Sequence, residues 1–192
     1  FGDVTAADWL AGLRGGKSFI TNGPFLELET ERAVLGDTLT MTGPNLVTVV
    51  ARGMGRLDFG ALELVYNGRV VRRVKATSEG GSFYAEMRHA LQVDQPGWFA
   101  LRIPDDAGKN ELDQPLFAHT SPIYIELAGQ TRFRPDVARG LVREMEESMN
   151  AIERQAAFAD AAERRKVLGV YQAAVQALEN RIRQAESGNL SR

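Results

Sequence analysis

The spacing of apolar residues changes twice along this chain, and each change marks a change of structure. Near the N-terminus Trp9, Leu10 and Leu13 lie on one stripe at helical spacing, which predicts a short amphipathic helix. Thr5 is placed to cap its free amides, Asp8 to reach back as the other half of a capping box, and Val4 with Trp9 to form a hydrophobic staple. Gly15-Gly16 stops the helix where positive φ costs little. From Lys17 to about Gly129 the period is two, in short apolar stretches separated by Gly, Pro, Asn and Asp. This predicts strands near residues 18–21, 25–30, 37–41, 46–52, 61–66, 69–76, 82–91, 97–103 and 123–128, with nine as the upper count. The sharpest local signal is Asn67-Gly68, which accepts the two positive φ angles of a type I′ hairpin turn. Leu62, Leu64 and Tyr66 then share one face, with Glu63 and Val65 on the other. Trp98, next to Phe99-Ala100-Leu101, reads as a core residue.

Beyond Gly129 the period becomes helical again. Val137, Leu141, Met145, Met149, Ile152 and Ala156 recur along one face, with Pro135 near the start, where a missing amide does least harm. A second helix opens at Asp160-Ala161-Ala162-Glu163 and carries Val167, Leu168, Tyr171, Val175, Leu178 and Ile182 before fraying near Ser187-Gly188. Two such helices joined by a short break at Phe158-Ala159 are expected to lie antiparallel with their stripes together. Residues 104–115 lack alternation and read as an exposed loop. The expected fold is therefore mainly β with α: a connecting helix over 1–17, an antiparallel, Ig-like β-sandwich over 18–130, an antiparallel helical hairpin over 131–187 and a disordered tail over 188–192.

Composition narrows the function more than the fold. Lys+Arg 23 against Asp+Glu 25 gives a net charge of -2 with no basic cluster, so nucleic acid is not an expected partner. No apolar run reaches the roughly 20 residues that span a bilayer. The absence of Cys removes disulfides, thiolate nucleophiles and Cys-ligated zinc, and leaves the compartment open. Phe1-Gly2-Asp3 has neither an initiator Met nor the features of a signal peptide, which predicts a chain cut from something longer.

The candidate chemistry is sparse. Only His89 and His119 are present, with no His-x-His or His-Glu-x-x-His spacing, so no metal ligand and no catalytic residue is assigned. His89, in the alternating run Phe83–Leu91, reads as an imidazole on the wet face of a strand. His119 reads either as a structural histidine bonded to backbone, the commoner use, or as a binding residue. Thr120 and Ser121 beside it form no triad, because neighbours in an extended chain point to opposite faces. Asp105, Asp106 and Asp113 miss the EF-hand spacing and read as a solvated loop. Gly15-Gly16-Lys17-Ser18 ends like a phosphate loop but follows a helix and precedes a strand, the reverse of the order that aims amides at phosphate.

Two stretches go beyond generic patterning: Asp8-Trp9-Leu10-Ala11-Gly12-Leu13-Arg14-Gly15-Gly16-Lys17-Ser18-Phe19-Ile20-Thr21-Asn22-Gly23-Pro24, and Phe117-Ala118-His119-Thr120-Ser121-Pro122-Ile123-Tyr124. They resemble the C-terminal region of the CehA/McbA-like metallohydrolases, relatives of the carbaryl hydrolases within the PHP superfamily. The segment with Arg165, Val167, Leu168, Tyr171 and Ala174 is similar to that family's tail. The resemblance implies a bacterial polypeptide whose upstream domain holds divalent metal and hydrolyses an ester, carbamate or phosphoester with metal-activated water. This chain would be its non-catalytic C-terminal accessory domain, with no cofactor of its own. Its expected partners are the upstream catalytic domain of the same polypeptide and a second copy in a homo-oligomer. Thr21, Asn22 and His119 are the binding residues expected nearest that domain. The alternative is a stand-alone carbohydrate- or protein-binding sandwich, which needs exposed aromatics on a sheet face or loop cluster; Trp98 and Tyr84 are the candidates. A hairpin built for oligomerisation would instead expose a wide apolar helix face.

Overall fold

The computed structural model describes residues 4–130 and 132–189, among which are three helices and eleven strands in two sheets. The chain divides into two compact units, Phe1–Arg132 and Phe133–Arg192. Phe1-Gly2-Asp3 and residues 190–192 of the expected tail lie outside the described residues, and the last helix continues through Asn189. No helix among the described residues is long and apolar enough to cross a membrane.

The first unit opens with α1 (Ala6–Arg14), whose start is fixed by the expected capping box. The Asp8 amide donates to Thr5 Oγ1 at 3.2 Å and the Thr5 amide donates to Asp8 Oδ2 at 3.0 Å. The strands follow as β1 (Phe19–Thr21), β2 (Phe25–Thr30), β3 (Thr38–Met41), β4 (Asn45–Gly55), β5 (Ala61–Tyr66), β6 (Arg69–Lys75), β7 (Thr77–Glu79), β8 (Ser82–Val93), β9 (Gly97–Arg102), β10 (Ala118–Thr120) and β11 (Ile123–Leu127). The two strands beyond the expected nine, β7 and β10, have three residues each.

One sheet runs β2-β4-β8-β7. The other is centred on β9, which pairs with β5 along one edge and with β10 and β11 in succession along the other. β6 then closes the β5 side, while β1 pairs with β10 and β3 with β11. The β3–β11 pair is parallel, so this sheet is mixed where antiparallel pairing was expected throughout. Asn67 and Gly68 join β5 to β6 with φ of 51° and 84°, as a type I′ turn requires.

Both sheets turn apolar side chains into one core, with Leu28, Val49 and Met87 from one and Leu64, Phe99 and Ile125 from the other. Leu62, Leu64 and Tyr66 share that core face as expected, and Glu63 and Val65 point the other way. Two sequence expectations fail here. Trp98 is not core, because Phe99 and Leu101 take the inner face of β9 and alternation sends Trp98 outward. His89 is not on the wet face either. It shares the inner side of β8 with Met87 and Leu91, opposite Val49, and is half-buried, whereas Glu86 and Arg88 face solvent.

The second unit is α2 (Pro135–Gln155) packed on α3 (Ala161–Asn189). Ion pairs Arg139–Glu186 at one end and Glu153–Arg164 at the other show that the two helices run in opposite directions. Asp160 caps α3, accepting from the amides of Ala162 and Glu163 at 2.7 and 2.8 Å. The buried face of α2 is Ala138 and Val142, meeting Ile182, Val175 and Leu178 of α3. This corrects the first two positions of the expected stripe, since Val137 and Leu141 stay 47% and 48% exposed, whereas Met145 packs on the cluster as expected.

Candidate functional site

Helix α1 carries no buried residue. Trp9, Leu10 and Leu13 are 62%, 41% and 51% exposed, and Val4 at 78% forms no covered staple. Yet the helix is not loosely attached. At its C-terminal end an added Cβ on Gly36 would lie 2.0 Å from the Gly15 carbonyl oxygen, so only glycine fits where the two backbones touch. Gly36 also has φ of 82°, and its amide donates to the Pro122 carbonyl at 3.0 Å. Beside this contact Lys17 Nζ donates to Asp37 Oδ1 at 2.9 Å. That ammonium, followed by the Val34 amide, holds the Asp37 carboxyl below its usual range. The Gly15-Gly16-Lys17-Ser18 segment is thus a clamp for α1 and not a phosphate loop.

Thr21, Asn22 and His119 come together at the β1–β10 corner, where Ile20 is opposite His119 and Thr21 opposite Ala118. Their chemistry is divided. The Thr21 hydroxyl donates to the Pro24 carbonyl at 2.7 Å and accepts from the Gly23 amide at 2.9 Å, which closes the turn. Asn22 Nδ2 donates to the Pro115 carbonyl, and its Oδ1 accepts from the Phe117 amide, each at 2.8 Å. Asn22 therefore splices two distant segments. The turn is tight enough that a Cβ on Gly23 would meet Leu116 Cδ2 at 2.5 Å. His119 alone of the three faces outward from the sheet; Ala118 and Thr120 on either side are buried, and the Thr120 hydroxyl accepts from the Leu101 amide at 3.0 Å. Ser121 Oγ lies 3.3 Å from Ser18 Oγ, not against the imidazole.

His119 opens onto a cleft of about 500 Å³ on the outer face of the β9-centred sheet. Val65, Val70, Trp98, Ala100 and Tyr124 line it, with His119 and Arg102 at one end. Next to that end Glu63 is only 6% exposed in its side chain, held by Arg102 Nε at 2.9 Å and Arg73 Nη1 at 3.4 Å. Removing either arginine would leave a buried carboxylate undercompensated. Sequence reasoning missed Tyr124, Arg102 and Glu63. Tyr124 was findable, because Ile123 and Ile125 claim the core side of their strand and leave it the outer one.

Among the described residues no group of three or more His, Asp or Glu side chains comes together to hold a metal ion. The acidic loop is instead spent on ion pairs: Lys109–Asp113 at 2.8 Å, with Asp105 and Asp106 each 4.0 Å from an arginine. Its tip is tied down by Asn110, whose Oδ1 accepts from the Leu112 and Gln114 amides. The sequence matches no protein-family model, and no curated protein is significantly similar to it.

Proposed function

We propose that this chain is a non-catalytic docking module: an Ig-like β-sandwich with a helical hairpin that serves as the C-terminal accessory part of a larger metal-dependent hydrolase. Through α1 it would pack on an upstream catalytic domain of the same polypeptide. The observation that carries this reading is the exposed stripe of Trp9, Leu10 and Leu13 on a helix held by a glycine clamp. Burying each such side chain is worth roughly 1.5–3 kcal/mol, a gain this unit does not collect from its own core. A helix that merely linked two bodies would not need large apolar residues along one side.

The hydrolase assignment rests on the motif resemblance. It places the divalent metal, and the hydrolysis of an ester, carbamate or phosphoester, in the upstream domain. The sandwich is supported by two sheets sharing one core and the hairpin by the opposed directions of α2 and α3.

Hydrogen exchange over residues 6–14 tests the docking, compared between this chain alone and the polypeptide that carries it together with its upstream region. The expected result is moderate protection alone and much stronger protection in the longer polypeptide, with the gain lost in a Trp9→Ser, Leu13→Ser double variant. Equal exchange in both polypeptides would overturn the proposal. Light scattering on the chain alone shows whether a second copy takes the same stripe.

A second reading, a stand-alone carbohydrate- or protein-binding module, is favoured by one observation. Trp98 and Tyr124 are direct cross-strand partners on the outer face of a sheet. It predicts ligand binding by this chain without any upstream domain.

A further inference from the structure

We infer that the cleft on the outer face of the β9-centred sheet binds a small amphipathic anion, with a flat apolar or aromatic body and one carboxylate or sulfonate head. Its volume of about 500 Å³ falls within the roughly 300–1,000 Å³ usual for small-molecule sites. Its polarity is graded along β9. At one end Trp98 pairs with Tyr124, and at the other Arg102 pairs with His119. Strand geometry separates Trp98 from Arg102 by about 13 Å, at roughly 3.3 Å per residue. The floor between them is Val65 and Ala100, with Val70 on the open edge strand beside it, and Val65 is only 9% exposed although it points away from the core, so the floor is recessed.

Two features select an anion with an apolar body over a sugar or a neutral ligand. A sugar needs many polar partners, and this lining offers few, since the Thr120 hydroxyl is turned inward to Leu101. The cationic end also keeps hydrogen-bond donors free. On the same outer face β6 adds Arg73 opposite Glu63 and Lys75 opposite Ala61, and the buried carboxylate of Glu63 is already held by Arg73 and Arg102. Asp105 and Asp106 approach those arginines only to 4.0 Å, from an exposed loop. With Nε spent on Glu63, the Arg102 guanidinium keeps further N–H donors for a ligand head. The edge position of β6 has a plainer use for its cations, as protection against strand pairing. That use does not account for a recessed apolar floor between an aromatic pair and a cationic pair.

The chain has two tryptophans, so in a Trp9→Phe variant the emission comes from Trp98 alone. Titration with anilinonaphthalene sulfonate is expected to change it saturably, while the uncharged phenylnaphthylamine binds about tenfold more weakly or worse. Val70 is 44% exposed on the edge strand, so it tolerates charge. Val70→Glu should weaken the sulfonate about tenfold or more, while Val70→Lys retains it. A urea midpoint unchanged in both variants excludes misfolding, and if Val70→Glu does not fold, the Val70→Lys variant and the uncharged probe decide. No saturable change, equal affinity for the uncharged probe, or unaltered binding by folded Val70→Glu would each overturn the inference. The cleft is separate from α1, so its failure leaves docking through α1 standing, and the reverse holds too.

Discussion

Strand β5 and helix α1 are both rich in large apolar residues and meet opposite fates. All six residues of β5 are buried, Glu63 included, whereas none of the nine in α1 is. β5 has β6 on one edge, β9 on the other, the core under Leu62, Leu64 and Tyr66, and flanking side chains over Glu63 and Val65. A strand must find neighbours for its backbone hydrogen bonds, and those neighbours bring side chains with them. A helix satisfies most of its backbone internally, so α1 can stand off the body once its ends are capped and clamped. Apolar patterning therefore states that burial is wanted without saying whose surface supplies it.

The comparison breaks most sharply at Leu64. Leu64→Ala should cost about 2–5 kcal/mol in urea denaturation, because the cavity forms in a fully packed interior. A loss below about 1 kcal/mol would mean that β5 does not pack in a closed interior.

A smaller effect is expected at the clamp. Gly36→Ala forces a side chain into a positive-φ position and against the Gly15 carbonyl, at about 1–3 kcal/mol. Faster amide exchange along α1 should accompany it. An unchanged midpoint and unchanged exchange would show that α1 is held elsewhere.

Smaller still is Leu13→Ser, expected within about 0.5 kcal/mol for the chain alone, as for surface substitutions generally. A loss comparable to that at Leu64 would reveal the stripe as buried in solution, by this chain or by a second copy, and would erase the contrast with β5.

The least effect is the acid response of the clamp. The folded Asp37 carboxyl titrates below its unfolded value, which is about 3.9. Its contribution is therefore fully present above that value and lost as pH falls through the lowered one. Protection of the α1 amides, relative to their intrinsic exchange rates, should fall in that acid window, and Asp37→Asn should remove the part that Asp37 carries, leaving that of Asp8 in the capping box. A loss of protection already complete near neutral pH would point to a different titrating group.

What the sequence alone determined is local. The Asn67-Gly68 turn, the Thr5/Asp8 capping box and the Asp160 cap were legible because each depends on residues within a few positions of one another. The alternation placing Leu64 inward was legible for the same reason, and consistent use of it also assigns His89 to the inner face and Trp98 to the outer one. At those two positions residue type and period point to opposite faces, and the period decides. Other features were settled only by tertiary structure. Nothing near Asn22 in sequence announces that its amide will bridge Pro115 and Phe117. The parallel β3–β11 pair joins strands more than 80 residues apart. On α2 the pairs Val137/Leu141 and Ala138/Val142 are both apolar, and the face that is buried was chosen by where α3 presents Val175, Leu178 and Ile182. A period fixes which residues share a face. The surface they meet depends on chain closure over long separations, which no local spacing encodes.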